Sequence, residues 1–281
     1  MPNLMSLNDW PATMPVGVIA MGTQDTAALT ELITKNESIA KWWRAKPQNM
    51  FVGPAVKPPF EVFYCLEIAN PAVAEGVLSE IETITSSAGW TIYLSKPSLP
   101  PRQDQVVRFD TNPVTDEPNE TIEELSTVFG GVNPTRAQIE AFHDFPFNDP
   151  VMILNLNNHV EKGVNPDTGE TCSGYDLANF YLKRGIKTFT SLGARPIWTG
   201  SGKAVLRDDL DAGYFDQIGL ILYPSRQHFA ALMRIGMKEG WDRYRHAGYD
   251  KSWNVHCQVT GSTDQICPYA PSSRSFAQAR P

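Results

Sequence analysis

One order of predicted elements occurs twice along the chain, and this repeat restricts the fold more than any other feature. The first copy has an apolar strand at 16–23, an amphipathic helix, two strands, a helix that opens at Pro71, and a strand at 90–94. The second copy starts with a strand at 151–158 and follows the same order, with Pro224 beside the start of its second helix. Each copy is a βαββαβ pattern, in which the helices must cover one face of the sheet. We therefore predict an α+β protein made of two such units, with a single larger α+β domain as the alternative.

The repeat sets the expected domain boundaries. We predict a first unit over 1–96, a connector with short helices over 97–148, a second unit over 149–260 and a tail over 261–281. The connector is rich in Pro, Asp and Asn, with short helices expected near 122–129 and 135–143. Two local features are also predicted. The first helix, capped by Asp25, is expected to continue loosely to 43, and 200–202 is expected to form a turn between strands.

Composition excludes several classes of function. The formal net charge is −7, so the chain has no excess of Lys and Arg with which to bind a nucleic-acid backbone. No apolar run reaches the roughly 20 residues of a membrane-spanning helix, and the first 15 residues do not resemble a secretory signal. The four cysteines form no CxxC pair, which gives no indication of a zinc site or a disulfide framework. We expect a cytoplasmic protein that binds neither nucleic acid nor membrane.

Several motifs of the second half resemble a known family. They are the segment DPVMILNL at 149–156, LGA at 192–194 with IWTG at 197–200, YPSRQHF at 223–229, and YRHAGY at 244–249. Together they resemble the uncharacterised family called domain of unknown function thirteen-thirty, in the dimeric α+β barrel superfamily. The resemblance covers roughly 149–249, and its most specific part is the Tyr-Pro-Ser-Arg stretch. The first half matches in element order only.

This resemblance implies a ferredoxin-like unit whose open sheet face pairs with a second unit to form a barrel around an apolar or mixed cavity. Here the first half is expected to replace the partner subunit, so two tandem ferredoxin-like units would form a dimeric-type α+β barrel within one chain. A homodimer of such chains is a further possibility. Relatives in the superfamily include cofactor-independent monooxygenases, isomerases and cyclases, haem peroxidases and proteins of no known activity, so the fold alone does not define a function.

Side-chain alternation in the strand at 151–159 suggests where chemistry occurs. One face carries Met152, Leu154 and Leu156, and we expect this apolar set to pack on helices. The other face carries Val151, Ile153, Asn155, Asn157 and His159. This set would then point into the barrel, with the two amides and the imidazole towards one end. Burying amide and imidazole groups costs about 1–3 kcal/mol each unless they form hydrogen bonds. These groups are therefore either paired internally or placed for a ligand. Alternatively, 157–159 lie beyond the strand in a solvated loop.

Four further residues complete the predicted site. Asp216 is expected to orient His159 for proton transfer, although an ion pair with Arg195 is an equally physical alternative. Arg195 and Trp198 would lie on opposite faces of their strand. Arg195 would contact an anion, and Trp198 would form a flat apolar wall. For Trp198, core packing is the simpler interpretation. Tyr223 matches the family pattern and is predicted to contact substrate, whereas most buried tyrosines are hydrogen-bonded core residues.

These observations lead to three functional hypotheses. The first is a small-molecule enzyme without a bound redox cofactor, acting on an apolar or aromatic metabolite by isomerisation, cyclisation or oxygenation. His159 would carry the proton and Asp216 would orient it, while Asn155 and Asn157 would hold a substrate oxygen. The second is a non-catalytic small-molecule-binding or assembly protein. The third is a haem peroxidase, for which His228 would be the axial ligand, although a surface position beside Arg226 is the simpler expectation for that histidine. No spacing of histidines or carboxylates suggests a metal site.

Overall fold

Helices and strands follow the predicted order in both halves of the computed structural model, which describes residues 7, 10–87, 89–98, 106–108, 130–143 and 150–267. The strands are β1 (Val16–Gly22), β2 (Ile39–Val52), β3 (Val62–Ile68), β4 (Trp90–Pro97), β5 (Val106–Arg108), β6 (Val151–His159), β7 (Gly163–Val164), β8 (Thr171–Cys172), β9 (Arg195–Asp208), β10 (Gln217–Tyr223), β11 (Tyr249–Ser262) and β12 (Gln265–Cys267). The helices are α1 (Ala27–Lys35), α2 (Pro71–Ile84), α3 (Arg136–His143), α4 (Gly174–Ser191), α5 (Arg226–Lys238) and α6 (Asp242–Gly248).

Eight of these strands close into one antiparallel barrel. The strand order is β1-β3-β2-β11-β6-β10-β9-β4, and β4 pairs back onto β1. In each half the four strands lie in the spatial order fourth, first, third, second. The halves meet at two junctions, where β2 pairs with β11 and β9 pairs with β4. The protein is therefore a mixed α+β structure around a closed barrel, and both junctions lie within a single chain.

Apolar side chains fill the interior of the barrel. One buried cluster draws residues from all eight barrel strands and none from a helix; its members include Ile19, Trp43, Phe63, Tyr93, Leu154, Trp198, Leu220 and Val255. Two other buried clusters lie outside the barrel. One joins β1, β3 and β4 to α1 and α2, and the other joins β6 and β10 to α4, α5 and α6. Each half of the barrel therefore has its helices on the outer face and the shared core within.

The helices begin where the local sequence satisfies their free N–H groups. In α2, the Asn70 side chain accepts a hydrogen bond from the backbone of Ala72, and Pro71 occupies the first turn. In α4, Ser173 accepts a hydrogen bond from the backbone of Asp176 at 3.1 Å. Among the described residues, no helix has both the length and the apolar character needed to cross a membrane.

The predicted orientation of the strand at 151–159 is wrong. Met152, Leu154 and Leu156 belong to the cluster inside the barrel, whereas Val151 and Ile153 pack against the helices. Asn155, Asn157 and His159 alternate with the barrel set and so lie on the helix-facing side. The physical reason is that both faces of this sheet are covered. The fully enclosed barrel face takes the uniformly apolar set, and the helix-facing side, which is partly open to solvent, takes the amides.

Two local predictions in the first and second halves also differ from the structure. The first helix ends at Lys35, and residues 39–43 lie in the long strand β2. Thr26, rather than Asp25, caps this helix by accepting from Leu29, while the Asp25 carboxylate contacts Arg44 and Tyr64. Residues 200–202 form no turn, because β9 continues through them to pair with β4. The helix expected near 122–129 lies outside the described residues.

Candidate functional site

The structure brings His159 and Asp216 together at one end of the second-half sheet. His159 is the last residue of β6, and Asp216 directly precedes β10, which pairs with β6. The Asp216 carboxylate accepts a hydrogen bond from the backbone N–H of His159 at 2.8 Å, and Oδ2 lies 3.5 Å from the imidazole Nδ1. The His159 imidazole lowers the pKa of Asp216, burial opposes this shift, and the backbone N–H of His159 adds to it. The carboxylate therefore remains ionised beside the ring.

Two tyrosines flank the imidazole. The Tyr249 ring centroid lies 5.4 Å from that of His159, and the Tyr175 ring stands edge-on to the imidazole at 5.7 Å. Burial raises the pKa of Tyr249 to about 12, with Arg245 opposing the shift, so its hydroxyl is a hydrogen-bond donor near neutral pH. Tyr175 lies in the first turn of α4 and is 60% exposed. Nε2 of His159 is buried and has no hydrogen-bond partner among the described residues.

Polar side chains continue from His159 across the helix-facing side of the sheet. We call the group of Asn155, Asn157, Gln217, Ser252 and Asn254 the amide patch. Ser252 donates to Asn157 Oδ1 at 2.6 Å, and Asn254 donates to Asn155 Oδ1 at 2.7 Å. Gln217 Oε1 accepts from both Asn157 and the Tyr249 hydroxyl. Hydrogen bonds across three adjacent strands therefore hold the amide patch in one arrangement.

The amide patch is partly accessible to solvent. Asn155, Gln217 and Asn254 are only partly buried, as is Thr199 on the adjoining strand. In the described part of the chain, neither the Gln217 amide nitrogen nor the Thr199 hydroxyl has a hydrogen-bond partner. Both groups are free to bind the oxygen of a ligand. Three or more His, Cys, Asp or Glu side chains do not converge as metal ligands anywhere among the described residues.

Three other predicted site residues lie away from this group. Arg195 pairs in register with Leu222, six residues along β10 from Asp216, which is roughly 20 Å at the usual rise of a strand. The proposed ion pair between Arg195 and Asp216 is therefore not formed. Trp198 is buried inside the barrel, and Tyr223 is buried under the helices against Phe229 at 5.3 Å.

His228 is buried rather than exposed at the surface. Only 3% of its surface is accessible, and its Nδ1 lies 2.8 Å from Ser225 Oγ at the start of α5. The neighbouring Arg226 is also buried, with hydrogen bonds to Asn49 and to the backbone of Phe142, and burial lowers its pKa to about 9. This segment joins α5 to β2 and α3, and the geometry gives the haem hypothesis no support.

Sequence reasoning missed six contributors to the site: Tyr175, Thr199, Gln217, Tyr249, Ser252 and Asn254. The signal for two of them was present in β11, where Ser252 and Asn254 alternate with Trp253 and Val255, as the amides of β6 alternate with leucines. That pattern matches β6 in register, with Ser252 opposite Asn157 and Asn254 opposite Asn155. Tyr175 reaches the site from a helix, and no strand periodicity could have placed it there.

Comparisons with known proteins give weak similarities. No family model matches the chain, and no curated protein matches it. A protein of unknown function from Rhodopseudomonas palustris is 22% identical over 46% of this chain and 95% of its own, with a TM-score of 0.40. An anthrone oxidase-like protein is 13% identical over 92% of this chain and 97% of its own, with a TM-score of 0.40.

A third solved structure, a variant chlorite dismutase from Candidatus Nitrospira defluvii, is 10% identical over 88% of this chain and 92% of its own, with a TM-score of 0.41. All three TM-scores are below 0.5, so these similarities assign neither a family nor an activity to the chain. The chain is a mixed α+β protein with a closed eight-stranded barrel and a polar site on the helix-facing side of its second half.

Proposed function

We propose that the protein is a small-molecule enzyme that moves a proton with His159, on a substrate bound beside the amide patch. The observation that carries this proposal is the buried Nε2 of an imidazole that finds no partner in the described part of the chain, while its other nitrogen lies 3.5 Å from a carboxylate. A buried nitrogen without a partner is uncommon in folded proteins and calls for an explanation. A general base that receives its proton from a bound substrate provides one.

In this proposal the substrate carries a carbonyl or phenolic oxygen and an acidic C–H bond. His159 Nε2 takes the proton, the C–H electron pair moves into the ring or enolate system, and negative charge develops on the substrate oxygen. The free amide N–H of Gln217 donates to that oxygen. Asp216 is a positioning residue that holds the ring through Nδ1 and stabilises the imidazolium. Rotation of the exposed Tyr175 ring admits the substrate.

The proposal extends to the fold. The two halves share one strand order, and we propose that they are tandem ferredoxin-like units, with the first half in the position that a partner subunit would occupy. The helix-facing sites would then differ between the halves. The first-half sheet carries Val18, Tyr64 and Ile92 toward its helices, where the second half carries amides. A single site per chain is the consequence.

The test is hydrogen–deuterium exchange at carbon. β-Tetralone, a flat ketone with acidic C–H bonds, is incubated with the protein in D₂O, and loss of the α-proton signals is followed by proton NMR. We expect exchange above the buffer rate, and His159→Gln to reduce the enzymatic rate by about 10²- to 10⁴-fold. Asp216→Asn should reduce it less, because the imidazole keeps its place on the strand and loses only the carboxylate that orients Nδ1.

The matched control is His246→Gln. His246 also faces a carboxylate, with Nε2 2.7 Å from Asp242 Oδ2, but it lies on α6, outside the amide patch. This variant should retain the exchange rate of the wild-type protein. Equal exchange by His159→Gln and wild type would refute the role of His159. Binding of β-tetralone without any exchange would instead favour the non-catalytic binding protein.

A further inference from the structure

A glycine in the middle of β10 lies where neither crowding nor backbone conformation calls for glycine. Within the described residues, a Cβ placed on Gly219 would meet only Asn155 Cβ and Thr199 Cγ2, each at 3.9 Å, which is ordinary van der Waals contact. Its φ is outside the left-handed region that favours glycine. Glycine within a strand costs about 0.5–1 kcal/mol relative to alanine. The residue therefore weakens the strand, and no contact that the structure describes compensates for this cost.

The other strand glycines differ from Gly219. At every other described strand glycine, a Cβ would lie 3.0 Å or less from another heavy atom. Two examples show the cause. At Gly202 the Cβ would lie 1.9 Å from the backbone oxygen of Phe215, and at Gly17 it would lie 2.5 Å from Ser95 Oγ. Close packing explains these positions, and it does not explain Gly219.

Gly219 borders the candidate site. Gly219 is buried, and it pairs with Asn155 on one side and Thr199 on the other. Gln217 lies two residues away on the same face of β10, and its amide nitrogen has no partner in the segments that the structure describes. We call the position that a Cβ on Gly219 would occupy, between Asn155 and Thr199, the recess. Its rim offers hydrogen bonds, and its floor is bare backbone that a flat group can approach closely.

Resting on the proposed function, we infer that Gly219 determines substrate length, and that the far end of a flat, elongated substrate lies in the recess while the near end meets His159. The distance supports an elongated molecule. Asn155, opposite Gly219, lies four residues along β6 from His159, which is roughly 13 Å at the usual rise of a strand. The substrate class is therefore a fused-ring phenol or ketone rather than a single ring.

The experiment measures binding of phenol, β-naphthol and β-anthrol, a linear series of one, two and three fused rings, by calorimetry. We expect affinity for wild type to rise with ring number. Gly219→Val should weaken β-anthrol binding roughly 10-fold or more, the usual effect of added bulk in an apolar pocket, and leave phenol binding unchanged. Gly219→Ala should unfold at a temperature no lower than wild type, while the control Gly202→Ala should unfold well below it.

Three results would overturn the inference: no binding of β-anthrol to the wild type, β-anthrol binding unaffected by Gly219→Val, or a Gly219→Ala variant as unstable as Gly202→Ala. The outcome is separable from that of the proposed function. If β-anthrol binding depends on Gly219 but β-tetralone shows no enzymatic exchange, the recess stands and the catalytic proposal fails. If exchange depends on His159 but the Gly219 variants bind β-anthrol as the wild type does, the catalytic proposal stands and the inference about Gly219 fails.

Discussion

Two adjacent residues on opposite faces of β6 provide a sharp test of how the sheet is oriented. Leu154 is fully buried inside the barrel, and truncating such a leucine to alanine costs about 2–5 kcal/mol through lost burial and the remaining cavity. Asn155 lies on the helix-facing side, is partly exposed, and makes its strongest side-chain hydrogen bond to Asn254 at 2.7 Å. Losing that bond costs about 0.5–1.5 kcal/mol, because water can reach Asn254.

The assay is thermal unfolding of Leu154→Ala and Asn155→Ala, followed by circular dichroism. At about 2–4 °C per kcal/mol for a domain of this size class, Leu154→Ala should lower the midpoint by roughly 4–20 °C and Asn155→Ala by roughly 1–6 °C. Urea midpoints should rank the variants in the same order. If Asn155→Ala proves the more destabilising of the two, the amides point into a closed core, and the orientation described above is incorrect.

Two other predictions concern buried charge. Burial, together with the nearby Arg226, holds the pKa of His256 well below its ordinary value. Below about pH 6.5 the unfolded chain therefore takes up a proton that the folded protein does not. The free energy of unfolding should fall there by up to about 1.4 kcal/mol per pH unit. His256→Phe should remove that part of the slope in urea unfolding measured across this range, and an unchanged slope would contradict the assignment. Asp242→Asn leaves the buried Arg245 guanidinium without its carboxylate partner and should cost about 3–5 kcal/mol in unfolding free energy. Adding Arg245→Met should recover part of that loss, and a double variant less stable than the single one would argue against a charge effect.

The order of elements could be predicted because each half repeats amphipathic helices between strands bounded by Pro and Gly. The helix at Pro71 shows why: Asn70 caps it and proline suits its first turn, both of which are local effects. The misplaced helix end at 39–43 shows the limit. There, β2 pairs with both β3 and β11, and this pairing outweighs the loose helical spacing of the apolar residues. Pairing with a strand that is distant in the sequence cannot be predicted from the local pattern of residues.

The glycines of β9 were misjudged for a related reason. Gly200 and Gly202 were predicted to form a turn, since glycine commonly marks one. In the structure they lie within a strand, where the Trp198 ring and the Phe215 backbone come too close for a Cβ. Only the folded arrangement reveals such close approaches, so composition cannot separate a turn glycine from a packing glycine.

The candidate site was predicted in part. His159 and Asp216 were predicted as a pair, and the structure places them within 3.5 Å, because the two ends of adjoining strands meet there. Which side of the sheet they occupy could not be derived from alternation, since a sheet covered on both faces carries apolar residues on both. The decisive information is how far each face is closed to water, which depends on helix packing over the whole second half.

The most direct test of the central claim is a titration of the isotope-labelled protein with β-tetralone, followed by nitrogen–proton correlation NMR. Ligand bound on the helix-facing side should shift the side-chain amide signals of Asn155, Gln217 and Asn254. The indole N–H signals of Trp43 and Trp198, which lie inside the barrel, should not move. Shifts of those indole signals with unmoved amide signals would place the ligand within the barrel and contradict the account.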